Sequence, residues 1–362
     1  MEFWNVTLLA LQESTSFLDQ RTMLMMGVVA GVLAIAATVG QILRRQNETV
    51  LNPAVLAKFN GRLVGWFVMC VVLLGAFIFQ TEAAVTVLFG LISFWALREF
   101  ITVTPTRPGD HRALFWTLVV ICPAQYIFVG LGSAWYPVYS ILIPVYSMLF
   151  IPARVAIAGD YKRFLERIAK IQAGLMISVF ALSFAPALMY LKLHTSDGKP
   201  WDGSRAGLLF FFVLIVQLGE VFQYVWDQLL GRSVIAAEVN GSKTWEGLFG
   251  CLLSTALVGT IFSWATPFGI AEAPIISLIV AFMGFAGSMT MSAIKRDRGV
   301  KDYGTLVTGH AGVLDRIDSI CFAAPVFFHL IAYWYGDLFL TLPPPPVVPQ
   351  VPIPPMPTIP GM

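Results

Sequence analysis

Between Ser292 and Asp318 the chain sets five basic side chains, four aspartates and a histidine within 27 residues. The string begins Ser292-Ala-Ile-Lys295-Arg296-Asp297-Arg298-Gly-Val-Lys301-Asp302-Tyr303-Gly304 and resumes at Gly309-His310-Ala311-Gly312-Val-Leu-Asp315-Arg316-Ile-Asp318. A loop between membrane helices needs positive charge for its orientation, but not interleaved aspartates. Glycines at 299, 304, 309 and 312 allow tight turns and close approach of backbone to a ligand. Asp315 and Asp318 share one face if that segment is helical, and carboxylates so placed can hold a hard cation such as Mg2+. Lysine and arginine match phosphate oxygens. Cation, basic groups and backbone amides together serve phosphoryl or nucleotidyl transfer, whose barrier is mostly one of charge placement. A salt-bridged loop that only ties helix ends together accounts for the same charges, and charge pattern alone leaves both readings open.

Two further stretches carry polar groups where apolar ones are the rule. In Lys243-Thr244-Trp245-Glu246-Gly247, Lys243 is suited to a phosphate and Glu246 to the positive end of the helix that follows. Trp245 is also explained as an interfacial anchor. In Gly219-Glu220-Val-Phe-Gln223-Tyr224-Val-Trp-Asp227, separations of four and seven put Glu220, Tyr224 and Asp227 on one helical stripe. Acids inside an apolar span are costly and usually functional. The alternative for Glu220 and Asp227 is a carboxyl kept neutral, or paired with a base from another span.

The elements that must position these groups follow from composition. Of 362 residues 57% are hydrophobic and 12% charged, with mean hydropathy +0.76, whereas soluble domains carry about 25% charged residues. Apolar runs long enough to span a bilayer fall near 23–43, 63–80, 82–97, 113–131, 134–151, 171–191, 207–230, 247–265, 272–294 and 319–340. Backbone in lipid must satisfy itself, so these runs are helices. The expected fold is an all-α polytopic membrane bundle of about ten transmembrane helices. Nineteen of the 23 basic residues fall on alternate loops, and only Arg21, Lys192, Lys199 and Arg205 fall on the others. That bias places both termini outside and the basic loops in the cytoplasm.

Cys70, Cys122, Cys251 and Cys321 each lie in an apolar run without a CxxC pattern, which reads as packed structural thiols rather than disulfides or zinc ligands. The polar first 22 residues do not resemble a cleavable signal peptide, and 3–18 can lie on the membrane surface as an amphipathic helix. The organisation reads as an extramembrane segment 1–22, a six-span region 23–206, a polar-bearing membrane region 207–342, and a tail 343–362 with ten prolines and no charge. Such a tail is extended, polyproline-like chain.

The string Ser292–Asp318 resembles the pattern of the CDP-diacylglycerol synthases (phosphatidate cytidylyltransferases), S-x-x-K-R-x4-K-D-x-G…H-G-G-x-x-D-R-x-D. Ser292, Lys295, Arg296, Lys301, Asp302, Gly304, His310, Gly312, Asp315, Arg316 and Asp318 stand at matching positions. It departs at Ala311, where the pattern has glycine, and at Thr308, where it has proline. Lys243–Gly247 resembles the end of the family's S-P-K-K-T-W-E-G loop. The Glu220 stripe is similar to N-D-x-x-A-Y-x-x-G-R, with Glu220 for the aspartate and Asp227-Gln228 for Gly-Arg. The main departure precedes Ser292: the family reads G-D-L-x-E-S, and this chain has Ser288 and Met291 in place of both acids. The match covers about 207–330; before residue 200 it is confined to multiple spans and the string Phe94-Trp-Ala-Leu-Arg-Glu-Phe100.

The resemblance implies transfer of cytidylyl from CTP to phosphatidate, giving CDP-diacylglycerol and pyrophosphate with Mg2+ or another divalent cation. It assigns Asp315, Asp318, Asp302 and His310 to catalysis, with Asp315 and Asp318 as metal ligands. Lys243, Lys295, Arg296, Lys301, Arg316 and Ser292 would bind substrate. With the acid at Ser288 missing, Glu220 or Asp227 replaces it, or the metal site is altered. Expected partners are CTP, phosphatidate and the lipid bilayer, with no nucleic acid and a homodimer compatible with the pattern. The expected setting is a bacterial inner membrane with the site on its cytoplasmic side. The rival readings are a catalytically altered family member acting as transporter or lipid-binding scaffold, and a CTP-dependent lipid kinase.

Overall fold

A computed structural model describes residues 17–45, 67–104, 107–304 and 312–338. The proline-rich tail, His310, Ala311, Thr308, the basic residues Lys58 and Arg62, and most of the 3–18 segment lie outside the described residues. Among the described residues the chain is helical almost throughout. The helices are α1 (Gln20–Arg45), α2 (Phe67–Phe77), α3 (Glu82–Val103), α4 (Pro108–Gly130), α5 (Ser133–Ile157), α6 (Phe164–Tyr190), α7 (Arg205–Leu230), α8 (Trp245–Ile261), α9 (Glu272–Asp297) and α10 (Leu314–Trp334). Seven of these, α3 to α7 with α9 and α10, are long and apolar enough to cross a membrane. The apolar stretches Gln20–Ile35, Phe67–Phe77 and Trp245–Ile261 fall on the remaining three expected spans but are shorter. The protein is an all-α polytopic membrane protein.

The boundaries differ from the hydropathy reading where polar residues extend a helix. α3 runs on to Val103 rather than stopping near 97, because Glu99 is buried in the bundle instead of ending the span. α10 starts at Leu314 rather than 319, so Asp315 and Asp318 both lie on its first two turns. Helices α4, α5 and α6 each contain a π-helical stretch (Trp116–Ile121, Leu142–Ser147 and Leu175–Ala181), and α7 to α10 are α-helical throughout.

The second half packs as a tight group in which α7 meets α8, α8 meets α9, and α9 meets α10. Small residues set the spacing. A Cβ on Gly287 of α9 would lie 2.8 Å from the Asp318 carbonyl and 2.9 Å from Phe322 Cβ, so only glycine lets α9 and α10 approach this closely. On the α7–α8 seam the Cys251 thiol bonds the Gly219 carbonyl at 3.1 Å. Cys122, Cys251 and Cys321 are buried, Cys70 half-buried, and all four are free thiols, as their apolar settings imply.

Candidate active site

α9 ends in a turn made for a glycine. Gly299 takes φ +68°, its amide bonds the Arg296 carbonyl, and the Val300 amide bonds the Lys295 carbonyl, both at 3.0 Å. This stop turns the chain back across the end of the bundle, so that Lys295 meets the start of α10. Lys295 Nζ donates to Asp315 Oδ1 at 2.8 Å. The other oxygen of Asp315 accepts from the amides of Tyr303 at 2.8 Å and Gly312 at 3.0 Å. Asp315 thus closes the segment between α9 and α10 onto the helix that bears it.

Tyr303 is fully buried. Its ring stacks on Phe100 with centroids 6.3 Å apart, Lys295 Nζ lies 5.5 Å from its centre, and its hydroxyl donates to the Met291 carbonyl at 3.2 Å. Burial first, and then the charges of Asp315 and Asp318, push its phenol well above the ordinary range, so it stays neutral.

The N-terminus of α10 is satisfied from a distant helix. Glu99, on α3 and only 5% exposed, accepts from the Val313 amide at 3.1 Å and the Leu314 amide at 2.8 Å. These are two of the donors that a helix start leaves without partners, and a carboxylate there is also favoured by the helix dipole. Gly312 is required here, because a Cβ would sit 2.6 Å from both Glu99 Oε2 and the Gly304 amide nitrogen.

One turn further into α10, Asp318 is buried and accepts from the Ser319 amide at 2.7 Å. The Ser319 hydroxyl lies between two carboxylates, bonded to Glu220 of α7 and 3.3 Å from Asp318 Oδ1. Glu220, Gln223, Lys243 and Ser288 line one small cleft between α7 and α9. Glu220 therefore faces the position where the family pattern has an aspartate and this chain has Ser288.

Asp227 does something else. Its Oδ1 accepts from the Thr244 amide at 2.9 Å, the Thr244 hydroxyl at 2.7 Å and Gln223 Nε2 at 3.0 Å. Thr244 in turn caps α8 by accepting from the Gly247 amide at 3.0 Å. Between α7 and α8 the chain forms a small hairpin, β1 (Val234–Ala236) and β2 (Gly241–Thr244), antiparallel with Val234 opposite Thr244. Glu246 closes its base by accepting from the Arg232 and Ser233 amides at 3.2 and 3.1 Å. Its tip docks on α9, where Arg296 Nε donates to the Val239 carbonyl at 3.2 Å and Asn240 Nδ2 reaches Ser292 Oγ at 3.4 Å. The outcome is Lys243, buried, held over the Phe285 ring at 5.6 Å and lining the cleft.

Of the residues expected at a site, the structure thus gathers Lys243, Ser292, Lys295, Arg296, Asp315, Asp318 and Glu220 around one end of α7, α9 and α10. Lys301, Asp302 and Arg316 stand exposed next to residues 305–311. Asp315 and Asp318 share a helix but serve different partners, the first Lys295 and two amides, the second the Ser319–Glu220 pair. Among the described residues no three histidine, cysteine, aspartate or glutamate side chains converge to hold a metal ion. A charge-pattern reading misses Glu99 and Ser319. Their only sequence signals are the Phe94–Phe100 string and the small residue beside Asp318, and neither says which distant helix it meets.

The comparisons with known proteins give the family. A family model described as cytidylyltransferase family matches residues 60–334. The chain is 35% identical over 246 residues to the uncharacterized protein YnbB of Escherichia coli, covering 68% of this chain and 78% of that one. It is 28% identical to phosphatidate cytidylyltransferase 4, chloroplastic, of Arabidopsis thaliana, covering 74% and 71%. It is 24% identical to the phosphatidate cytidylyltransferase of Synechocystis, covering 72% and 90%. With three-quarters of its length matched, the chain is a membrane-embedded nucleotidyltransferase. The chain belongs to the cytidylyltransferase family.

Proposed function

We propose that the chain catalyses the reaction of CTP with phosphatidate to give CDP-diacylglycerol and pyrophosphate. The observation that carries this reading is the cleft shared by Glu220, Lys243 and Ser288 beside the Lys295–Asp315 bridge. It joins phosphate-binding groups to a carboxylate pair, as a reaction between a lipid phosphate and a cytosolic nucleotide requires. A phosphatidate oxygen attacks the α-phosphorus of CTP, a new P–O bond forms, and the bond to the β-phosphate bridging oxygen breaks. Pyrophosphate leaves with that electron pair. Lys243 and Lys295 place phosphates at the mouth of the cleft, while Arg296, Lys301 and Arg316 attract the triphosphate from the polar end. Asp302 and His310 are assigned to the same site by the family pattern.

The Asp318–Glu220 pair has the chemistry of a hard-cation site, a buried and a half-buried carboxylate a hydroxyl apart. Mg2+ commonly takes one or two protein carboxylates and completes its shell with phosphates and water, so a third protein ligand is not needed. Asp318 and Glu220 are the residues that would hold it, and Asp315 serves to position Lys295. When bound, such an ion supplies neutralisation of phosphate charge. The reading as a transporter predicts matched interruptions in both halves; among the described residues the π-helical interruptions fall in α4 to α6 alone. The positive-inside bias supports this end of the bundle facing the cytoplasm, and the bacterial relatives support a bacterial inner membrane.

The test is pyrophosphate release by the purified protein in detergent micelles with CTP and Mg2+. Release is expected only when phosphatidate is present, and removal of divalent cation with EDTA is expected to abolish it. Equal release without phosphatidate contradicts the proposal.

A further inference from the structure

Lys295 is held by one acceptor and one ring. Its side chain is 17% exposed, and among the described residues its ammonium meets a single hydrogen-bond acceptor, Asp315 Oδ1 at 2.8 Å. The second attraction is the Tyr303 ring, whose centre lies 5.5 Å from Nζ, within the reach of a cation–π contact. An ammonium carries three donors, and a ring face steadies it without taking an N–H and without cancelling its charge. Two donors are therefore left for phosphate oxygens. A second carboxylate would take a donor and offset the charge. The acid that the family pattern has one turn before Lys295 is Met291 here, fully buried.

The ring itself is fixed from three directions. The Tyr303 amide donates to Asp315 Oδ2 at 2.8 Å, its hydroxyl donates to the Met291 carbonyl at 3.2 Å, and Phe100 of α3 stacks on it with 17° between the planes. Met291 precedes Lys295 by one helical turn, so the hydroxyl ties the ring to the same turn of α9 that bears the ammonium. Phe100 is set in turn by α6. A Cβ on Gly174 would lie 2.8 Å from Phe100 Cδ1 and 3.3 Å from Leu97 Cδ1, so glycine there lets α6 press on α3 at the level of Phe100. Gly174, Phe100 and Tyr303 thus make a series of contacts from the first half of the bundle to Lys295.

Position 303 is the unspecified one in K-D-x-G, so the family pattern assigns it no role. We propose that Tyr303 is a positioning residue for Lys295: its ring, seated by Phe100 and Gly174, holds the ammonium beside Asp315 and leaves two donors for the nucleotide phosphates. The role in binding rests on the reaction proposed above; the contact rests on the geometry alone.

Two measurements test it, and the first needs no turnover. Tyr303 is replaced by phenylalanine, and then by phenylalanines carrying one, two and three ring fluorines, which weaken the ring's attraction for a cation stepwise at nearly constant shape. The melting temperature in detergent is expected to fall with each fluorine, and to stay flat in a Lys295→Met background. A flat series with Lys295 present, or the same slope in both backgrounds, overturns the contact. The second reads KM for CTP and kcat over the same series. KM is expected to rise by about 3- to 30-fold from no fluorine to three, the range of a cation–π contact from exposed to desolvated, with kcat kept within about twofold. Gly174→Ala is expected to raise KM for CTP as well, and to add nothing in a Tyr303→Leu background. Equal effects of Gly174→Ala in both backgrounds would cut α6 out of the series of contacts. A flat KM beside a graded melting temperature would make Tyr303 structural only and overturn the positioning role. Absence of any CDP-lipid product would instead sink the reaction, and the melting series would still decide the contact.

Discussion

Asp315 accepts three hydrogen bonds with two oxygens, and each comes from a different part of the site: Lys295 at the end of α9, Tyr303 between the helices, and Gly312 just before α10. Its removal should therefore act on structure as well as on charge. Asp315→Asn and Lys295→Met are expected to couple in a double-mutant cycle by about 0.5–3 kcal/mol, read from thermal unfolding in detergent, as directly contacting partners do. Additive effects would mean that the bridge contributes nothing to the fold. Asp318→Asn and Glu220→Gln make the contrasting case. Each is expected to lower kcat by about 10²-fold, comparable to losing one group that stabilises developing charge, with little change in melting temperature. Activity that stays within about twofold of wild type for both would remove the pair from the mechanism. Both aspartates stand out in the sequence by their spacing on one helical face. That they part company, one to Lys295 and one to Glu220, depends on what α9 and α7 present, and spacing along α10 carries no record of it. The replacement of a family acid by Ser288 was readable, and so was Glu220 as a candidate to stand in; the shared cleft is what relates the two positions.

Elements in this bundle are held at their ends by side chains from far along the chain. Glu99 caps α10 across more than 200 residues, and Asp227 fixes the start of α8 and with it the Lys243 hairpin. Glu99→Ala strands two buried amides at about 1–3 kcal/mol each. It should lower the melting temperature and kcat together, and Glu99→Gln, which keeps an acceptor, should recover much of both. If Glu99→Ala melts as wild type does, the cap is not holding α10. Asp227→Ala should instead loosen the hairpin, raising KM for CTP by about tenfold with kcat largely kept, since two of its three bonds go to Thr244 and it does not itself line the cleft. The apolar runs themselves were legible from hydropathy, with ends that slipped by a few residues. The slips have a common cause. A charged residue normally closes a hydropathy window, but Glu99 is satisfied by another helix, and Asp315 by its own helix start and Lys295, so α3 and α10 carry on through them.

Across the whole molecule, α7 is the helix along which a polar and an apolar pocket both lie. One stripe of that helix lines the polar cleft, another lines a small apolar pocket, and the basic loops alternate along the sequence. The orientation this implies can be checked with single cysteines on a background lacking the native four. A cysteine at Lys162 should react with an impermeant maleimide only in inverted vesicles, and one at Lys199 only in intact cells; both positions are exposed. Labelling of both from one face would contradict the positive-inside assignment. The membrane class was legible because half the usual charge is missing, and the alternation of basic loops supplies an expected orientation that this labelling tests. Seven helices meet the length and hydropathy of a span, whereas α1, α2 and α8 are covered by shorter apolar stretches. The most direct test of the central claim is the fate of the nucleotide phosphorus. With purified protein, phosphatidate, Mg2+ and CTP labelled at either the α- or the γ-phosphate, the account predicts that α-label enters the lipid fraction as CDP-diacylglycerol and that γ-label appears only in pyrophosphate. Lipid carrying the γ-label would make the protein a CTP-dependent kinase, and lipid carrying neither would refute cytidylyl transfer altogether.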